Sequence, residues 1–214
     1  MNNRSYNHIS RFDERSRMYG IADAINGQLP LKSRSWDCPV TLNQGSEGAC
    51  TGFAVAHDLN AKPSPLVPVT KAQAIALYKR AKQIDEWPGD GYEGSSVLAA
   101  VKAAREKGWV KSFSWAFGVE DLALALGYVG PAVLGIPWLS GMETPDKGGV
   151  IKATGAVRGG HAILCNAFDN GNEMFRLHNS WGPRWGIKGE CWIGWKDMAK
   201  LLGLQGEACV IRKG

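Results

Sequence analysis

The chain predicts an α+β fold with two lobes. Two observations carry this: helical spacing with helix caps fills the first half, and short strand-like runs fill the second. A third sets the scale. The chain has 214 residues, 44% of them apolar, enough for one globular unit. The change of character near residue 130 divides a helical lobe, about 36–129, from a β-rich lobe, about 130–214.

Residues 1–35 are polar and basic with weak periodicity, and read as an extended strap or partly ordered tail. Residues 50–61 read as a helix with Phe53, Ala54 and Ala56 on its apolar face. Pro63, Pro65 and Pro68 end that helix and form a rigid connector. Thr70 with Gln73 three residues on is a capping box, followed by Ala72, Ile75, Ala76 and Tyr78 at helical spacing. Pro88-Gly89-Asp90-Gly91 reads as a turn-rich loop. Ser95 or Ser96 caps a helix running to about Glu106, and Gly108 stops it. A short helix fits 120–127. Strands are expected over 131–138, 161–168, 175–179, 190–195 and 207–212, with Asp169-Asn170-Gly171-Asn172 as a hairpin turn. The loop 139–160 is long enough to be functional.

Composition narrows the function classes. A net charge of +5 without a dense Lys/Arg run or RNA motif reads as a solvated surface, not a nucleic-acid partner. No apolar run reaches the length of a membrane span. The N-terminus lacks the apolar centre of a secretory signal. Five cysteines, at 38, 50, 165, 191 and 209, show no metal-site spacing, so no metal or cofactor is expected. A disulfide among Cys38, Cys165, Cys191 and Cys209 stays open. Nine tryptophans, several in Gly-rich runs, suggest a groove with aromatic walls.

The chemistry centres on Cys50. The Gly-rich run Asn43 to Ala49 delivers it to the start of a helix, whose positive dipole end favours a thiolate. Gly159-Gly160-His161-Ala162 and His178-Asn179-Ser180-Trp181-Gly182 follow far downstream. Cysteine, histidine and asparagine in that order, with Gln44 ahead of the cysteine, are the parts of a thiol-nucleophile hydrolase. Competing groups read otherwise. His57 lies inside a helix, and His178 should point to the opposite sheet face from Asn179. Asp58 and Asp169 are weaker candidates for orienting a histidine.

NQGSEGACTGFA resembles the active-site segment of the papain family, usually Q-G-x-C-G-x-C-W. GGHAILCNAFD resembles its histidine strand, and HNSWGPRWGIKGECWIG its N-S-W-G-x-x-W-G-x-x-G block. GPAVLGI is similar to the strand that opens its β-rich half. The resemblance runs from about Trp36 to the C-terminus. Cys50 and His161 lie closer together than the roughly 130–150 residues of the plant and lysosomal enzymes, so the chain resembles a trimmed bacterial or viral-type member.

The resemblance implies a papain-like two-lobe fold: a helical N-terminal lobe, a β-sheet or barrel-like C-terminal lobe, and the active-site cleft between. It implies a cysteine-type peptidase acting on a peptide or protein substrate. Cys50 is the nucleophile, and His161, at the start of its strand, is the proton shuttle. Asn179 orients the histidine, Gln44 serves the oxyanion hole, and Trp181 and Trp185 shield the His–Asn hydrogen bond. Gly94, Ser95 and Gly160 are where the family presents backbone to an extended substrate.

Three positions depart from the pattern. Thr51 replaces an aromatic, Gly160 replaces an acidic or polar residue, and Glu47 replaces a disulfide cysteine. Glu47 also brings a negative charge that raises the thiol pKa, and without its disulfide a reducing, cytoplasmic setting is favoured. In place of a long inhibitory prosegment, residues 1–35 are expected either to latch over the groove or to pack on the back of the fold. A monomer is expected. Alternative activities are a thiol-dependent amidase, deamidase or acyl transferase on a narrower substrate, or a non-catalytic peptide-binding module.

Overall fold

The computed structural model describes residues 5–9, 18–21, 25, 29–63, 68–87 and 92–214. Pro65 of the connector, the turn at 88–91 and much of the 1–35 segment lie outside them.

Helix α1 (Cys50–Asn60) is buried along its whole length. Its last residue ties it to the next helix, because Asn60 Nδ2 donates to Val69 O at 2.9 Å and Val69 N donates to Asn60 Oδ1 at 2.7 Å. Helix α2 (Lys71–Ile84) starts on the expected Thr70–Gln73 capping box. Of the two candidate caps for α3 (Val97–Glu106), Ser96 is the one used. Gly108 follows with φ +74°, a conformation glycine adopts without strain. Helices α1 and α2 pack unusually close at Gly52, where a Cβ would lie 2.3 Å from Ala74 O.

The remaining elements are β1 (Arg34–Ser35), β2 (Val110–Trp115), α4 (Val119–Tyr128), β3 (Ala132–Leu139), β4 (Val150–Ile151), β5 (Val157–Asp169), β6 (Met174–His178), β7 (Glu190–Gly194), α5 (Trp195–Gly203) and β8 (Glu207–Lys213). The strands form one sheet in the order β2-β8-β3-β5-β6-β7-β4, with β1 continuing the edge of β5 beyond β3. All pairs are antiparallel except β4 with β7.

The sheet separates two hydrophobic cores. Val133, Ala162, Leu164, Cys209 and Ile211 face the core of α1, α2 and α3. Their neighbours Ala132, Leu134, Ile163, Cys165, Ala208 and Val210 face the second core, shared with α4 and α5. Successive strand residues point to opposite faces, so burial on both faces demands the unbroken apolar runs seen in β3 and β5.

Several expectations change in detail. The sheet is open, with β2 and β4 at its ends, and is not barrel-like; the two-residue β4 offers too little edge to close it. His161 lies inside β5, which begins at Val157. Strand β2 and helix α5 were not legible. In β2 the apolar residues do not alternate cleanly, and α5 begins directly after β7 on Gly194 without a side-chain cap. All five cysteines are free thiols. Among the described residues no helix is long and apolar enough to cross a membrane.

The close approach at Gly52 sets a stability test. Gly52→Val forces a branched side chain against the Ala74 carbonyl and Tyr78, and should cost about 1–3 kcal/mol in urea unfolding. A midpoint unchanged from wild type would show that α1 and α2 do not depend on this contact.

Candidate active site

Cys50 is the first residue of α1, and the N-cap residue Ala49 provides no side-chain hydrogen bond. The free N–H groups of the first turn therefore direct the positive end of the helix toward the thiol. Cys50 is fully buried. Burial pushes its thiol above the ordinary range, opposed by hydrogen bonds from the backbone of Ala162, Asn7 and its own turn. Burial, rather than the exposed Glu47, is the leading cause.

Ala162 reaches the sulfur because α1 packs on the face of β5 that bears it. The residue before it, His161, is also fully buried. Its Nε2 lies 2.9 Å from Asn179 Oδ1, an oxygen that also accepts from Ser180 N at 2.8 Å. Asn179 directly follows β6, and its backbone N–H donates to Gly189 O. Hairpin pairing of β5 with β6 thus brings residues 18 apart in sequence into contact.

Aromatic rings enclose this pair. Trp181 lies over the His161 ring at 4.9 Å with an interplanar angle of 30°, and Trp138 meets it edge-on at 4.9 Å. Trp185 packs against Trp181 and Trp138. Such a wall keeps water from competing for the His161–Asn179 hydrogen bond.

Gln44 is held by the same block. Its backbone N–H donates to Ser180 O, and Ser180 Oγ donates to its Oε1 at 2.5 Å. With the amide oxygen engaged, Nε2 donates to Glu47 O at 2.8 Å and approaches Ser5 O at 3.5 Å.

Residues 5–9 lie across this site. Asn7 and Gly160 form a parallel bridge on β5, and His8 forms another with Ser95 ahead of α3. The bonds are His8 N to Gly160 O at 2.9 Å, Ser95 N to Asn7 O at 3.2 Å and Ile9 N to Ser95 O at 3.1 Å. The strap pairs with β5 just before the first β6-paired residue, Leu164. Approach is close enough that a Cβ at Gly94 or Gly160 would lie 2.0 Å from a strap carbonyl. The Tyr6 ring stands edge-on to His161 and Trp181. Asn7 Nδ2 donates to Glu93, and the His8 ring meets Glu207.

The structure therefore gathers Cys50, His161, Asn179, Gln44, Trp181 and Trp185 in one region, with Gly94, Ser95 and Gly160 against the strap. The sequence reading missed Trp138, Ser180 and Glu207; it expected an N-terminal strap but did not single out Tyr6, Asn7 or His8 within it. Ser180 stood within the quoted N-S-W-G block, whereas nothing local marks Trp138 or Glu207.

The competing groups lie elsewhere. His57 accepts from Leu42 N and packs against His178, whose Nδ1 bonds Glu190. Asp169 accepts hydrogen bonds within its exposed turn.

No family model matches the chain. A peptidase C1-like protein of Acanthamoeba polyphaga mimivirus, itself uncharacterized, is 29% identical over 107 residues. That match covers 48% of this chain and 34% of the viral protein, so it spans about a third of the relative's length. Xylellain, a cysteine protease from Xylella fastidiosa, superposes with a TM-score of 0.74 at 18% identity, covering 100% of this chain and 97% of its own. The bromelain protease of Ananas comosus, solved with the E64 inhibitor, gives 0.65 at 15% identity over 86% and 99%. Procathepsin L 3 of Tenebrio molitor gives 0.66 at 16% over 98% and 76%. These likenesses show that the fold is papain-like.

Burial of the thiol has a measurable consequence. With the strap in place, thiolate is scarce at neutral pH, so iodoacetamide should label Cys50 slowly, rising roughly tenfold per pH unit toward alkaline pH. Disrupting the strap with Asn7→Pro, which removes the N–H that reaches the sulfur, should speed labelling at pH 6–7. Rapid labelling of the unaltered chain at pH 6 would contradict the buried thiol.

Proposed function

We propose that this chain is a cysteine peptidase with Cys50 as nucleophile. The observation that carries the reading is the buried His161–Asn179 hydrogen bond, 2.9 Å long under Trp181, on the strand whose Ala162 backbone meets the Cys50 sulfur. A structural histidine needs no such constellation beside a cysteine at an uncapped helix N-terminus.

In this reading Asn179 Oδ1 accepts the Nε2 proton of His161 and fixes the tautomer, so Nδ1 exchanges the proton with Cys50. The thiolate attacks the peptide carbonyl, and its oxygen takes the displaced electron pair. The Gln44 Nε2 and Cys50 backbone N–H groups stabilise that oxyanion, each such donor being worth about 2.7–4 kcal/mol in the transition state. Imidazolium returns its proton to the departing amine as the C–N bond breaks. Water, deprotonated by His161, then hydrolyses the thioester and restores the thiol. A neutral amide at position 179 orients the ring without drawing the proton away.

The strap is the regulatory part of the proposal. Residues 5–9 cover the thiol, His161 and the backbone groups of Ser95 and Gly160 that an extended substrate needs. They act as a latch competing with substrate for the same hydrogen bonds.

Three measurements test this. Cys50→Ala should abolish cleavage of a peptide substrate while leaving the circular dichroism unchanged, and wild-type-like hydrolysis by that variant would refute the mechanism. Removing residues 1–10 should raise kcat/KM at least about tenfold, the effect of losing about 1.4 kcal/mol of competing contacts. An unchanged rate would sink the latch. Mass spectrometry of the products should show backbone cleavage, not a side-chain mass change.

A further inference from the structure

Trp138 is the bulkiest fully buried side chain among the described residues, and it stands beside His161. In the β3–β5 ladder Ile136 pairs with His161 and Trp138 with Gly159, so Trp138 is the diagonal neighbour of His161 on one sheet face. The register shifts directly after it, where Leu139 pairs with Val157 and Arg158 is left over. An irregularity of this kind re-aims the side chains beside it. Arg158 in turn meets the Glu143 carboxylate, and the Glu143 carbonyl accepts the Trp185 N–H.

The Trp138 indole meets three rings. It is edge-on to His161 at 4.9 Å and 74°, edge-on to Trp181 at 5.2 Å and 79°, and tilted against Trp185 at 6.3 Å. Edge-to-face contacts at such distances are favourable and directional. The hydrogen bond between Nε2 and Asn179 alone still lets the His161 ring turn about its Cβ–Cγ bond, which swings Nδ1. Trp181, stacked at 30°, closes one face of that ring. Trp138 touches both rings and so fixes their mutual angle.

The buried Trp138 N–H has no hydrogen-bond partner among the described residues, whereas that of Trp185 is bonded. A buried donor left unpaired lowers stability, so phenylalanine would suit a place that only needed filling. The bicyclic ring is what spans from His161 to Trp181.

We propose that Trp138 is a positioning residue: by locking the Trp181 indole and the His161 ring against each other, it keeps Nδ1 aimed at Cys50. The inference rests on the peptidase reading above. It adds a residue outside the Cys50–His161–Asn179 set on which the rate depends.

The experiment uses the full chain and two readouts. In peptide hydrolysis, Trp138→Phe should lower kcat about tenfold and Trp138→Leu about a hundredfold, with KM within about threefold, because a misaligned proton carrier slows chemistry and not binding. The milder phenylalanine variant carries the test if the leucine variant does not fold. Leu122→Ala, in the same core but on α4, is the control; it should lower the urea midpoint and leave kcat near wild type. Unchanged kcat in the Trp138 variants, or an equal loss in Leu122→Ala, overturns the proposal. Imidazole 15N NMR reads the ring without turnover. The Nε2–H signal of His161, identified by its loss in His161→Ala, should be sharp in the unaltered chain and broadened in Trp138→Leu. A signal equally sharp in both also overturns the proposal. If no peptide is cleaved while that broadening is seen, the peptidase reading fails and the positioning role stands.

Discussion

Strand β5 is the constraint on which the rest of the structure depends. It is buried on both faces, pairs with β3 and β1 along one edge and with β6 along the other, and carries His161 between two glycines and an apolar run. Its two faces belong to different cores, so its position is set from both sides. A histidine on such a strand has little freedom. Its distance from Asn179 follows from the β5–β6 register, and the approach of Ala162 to Cys50 follows from the packing of α1 on the same strand. Preorganisation of this kind comes from ordinary sheet and helix packing, with no separate device at the site.

The strap uses what that strand leaves unpaired. Beyond the reach of β6, the backbone of β5 near Gly160 is available, and Asn7 pairs there while His8 bridges to Ser95. Adding a strand to an exposed edge is a general mode of peptide recognition, in which backbone bonds give affinity and alternate side-chain pockets give selectivity. The strap shows both parts: hydrogen bonds through Asn7, His8 and Ile9, and side chains of Tyr6 against His161 and His8 against Glu207. Burial raises the thiol pKa of Cys50, while the backbone of the strap residue Asn7 is among the groups that lower it.

A second set of polar groups, His57 and Asp58 of α1 among them, has no place in the proposed chemistry. Burial and the neighbouring His178 hold His57 well below its ordinary pKa, so it is neutral and serves as an acceptor for Leu42 N. Glu190 joins His178, Asn166 and Arg176, fastening β5, β6 and β7. Asp58 is pushed up to about 7 by burial, partly offset by Lys213. His57 thus holds the segment leading to Gln44, and the Glu190 cluster holds β5, which carries His161, to β6, which leads into Asn179.

What the sequence determined by itself was local or periodic. The Thr70–Gln73 box starts α2, Gly108 follows α3, and the Gly-rich run before Cys50 places a thiol at a helix start, because each depends on a few adjacent residues. The order of Cys50, His161 and Asn179 was legible through short motifs with a chemical requirement behind them. Tertiary structure alone decided the rest. Trp138 flanks His161 only because of the β3–β5 register, and β2 exists as a strand only because β8 pairs with it. Nothing near Glu207 in the chain announces its contact with the strap; the place is made by Gly135 and His8, which arrive from 72 and 199 residues away. Contacts between residues so distant depend on the geometry of the folded sheet, and no local pattern encodes them.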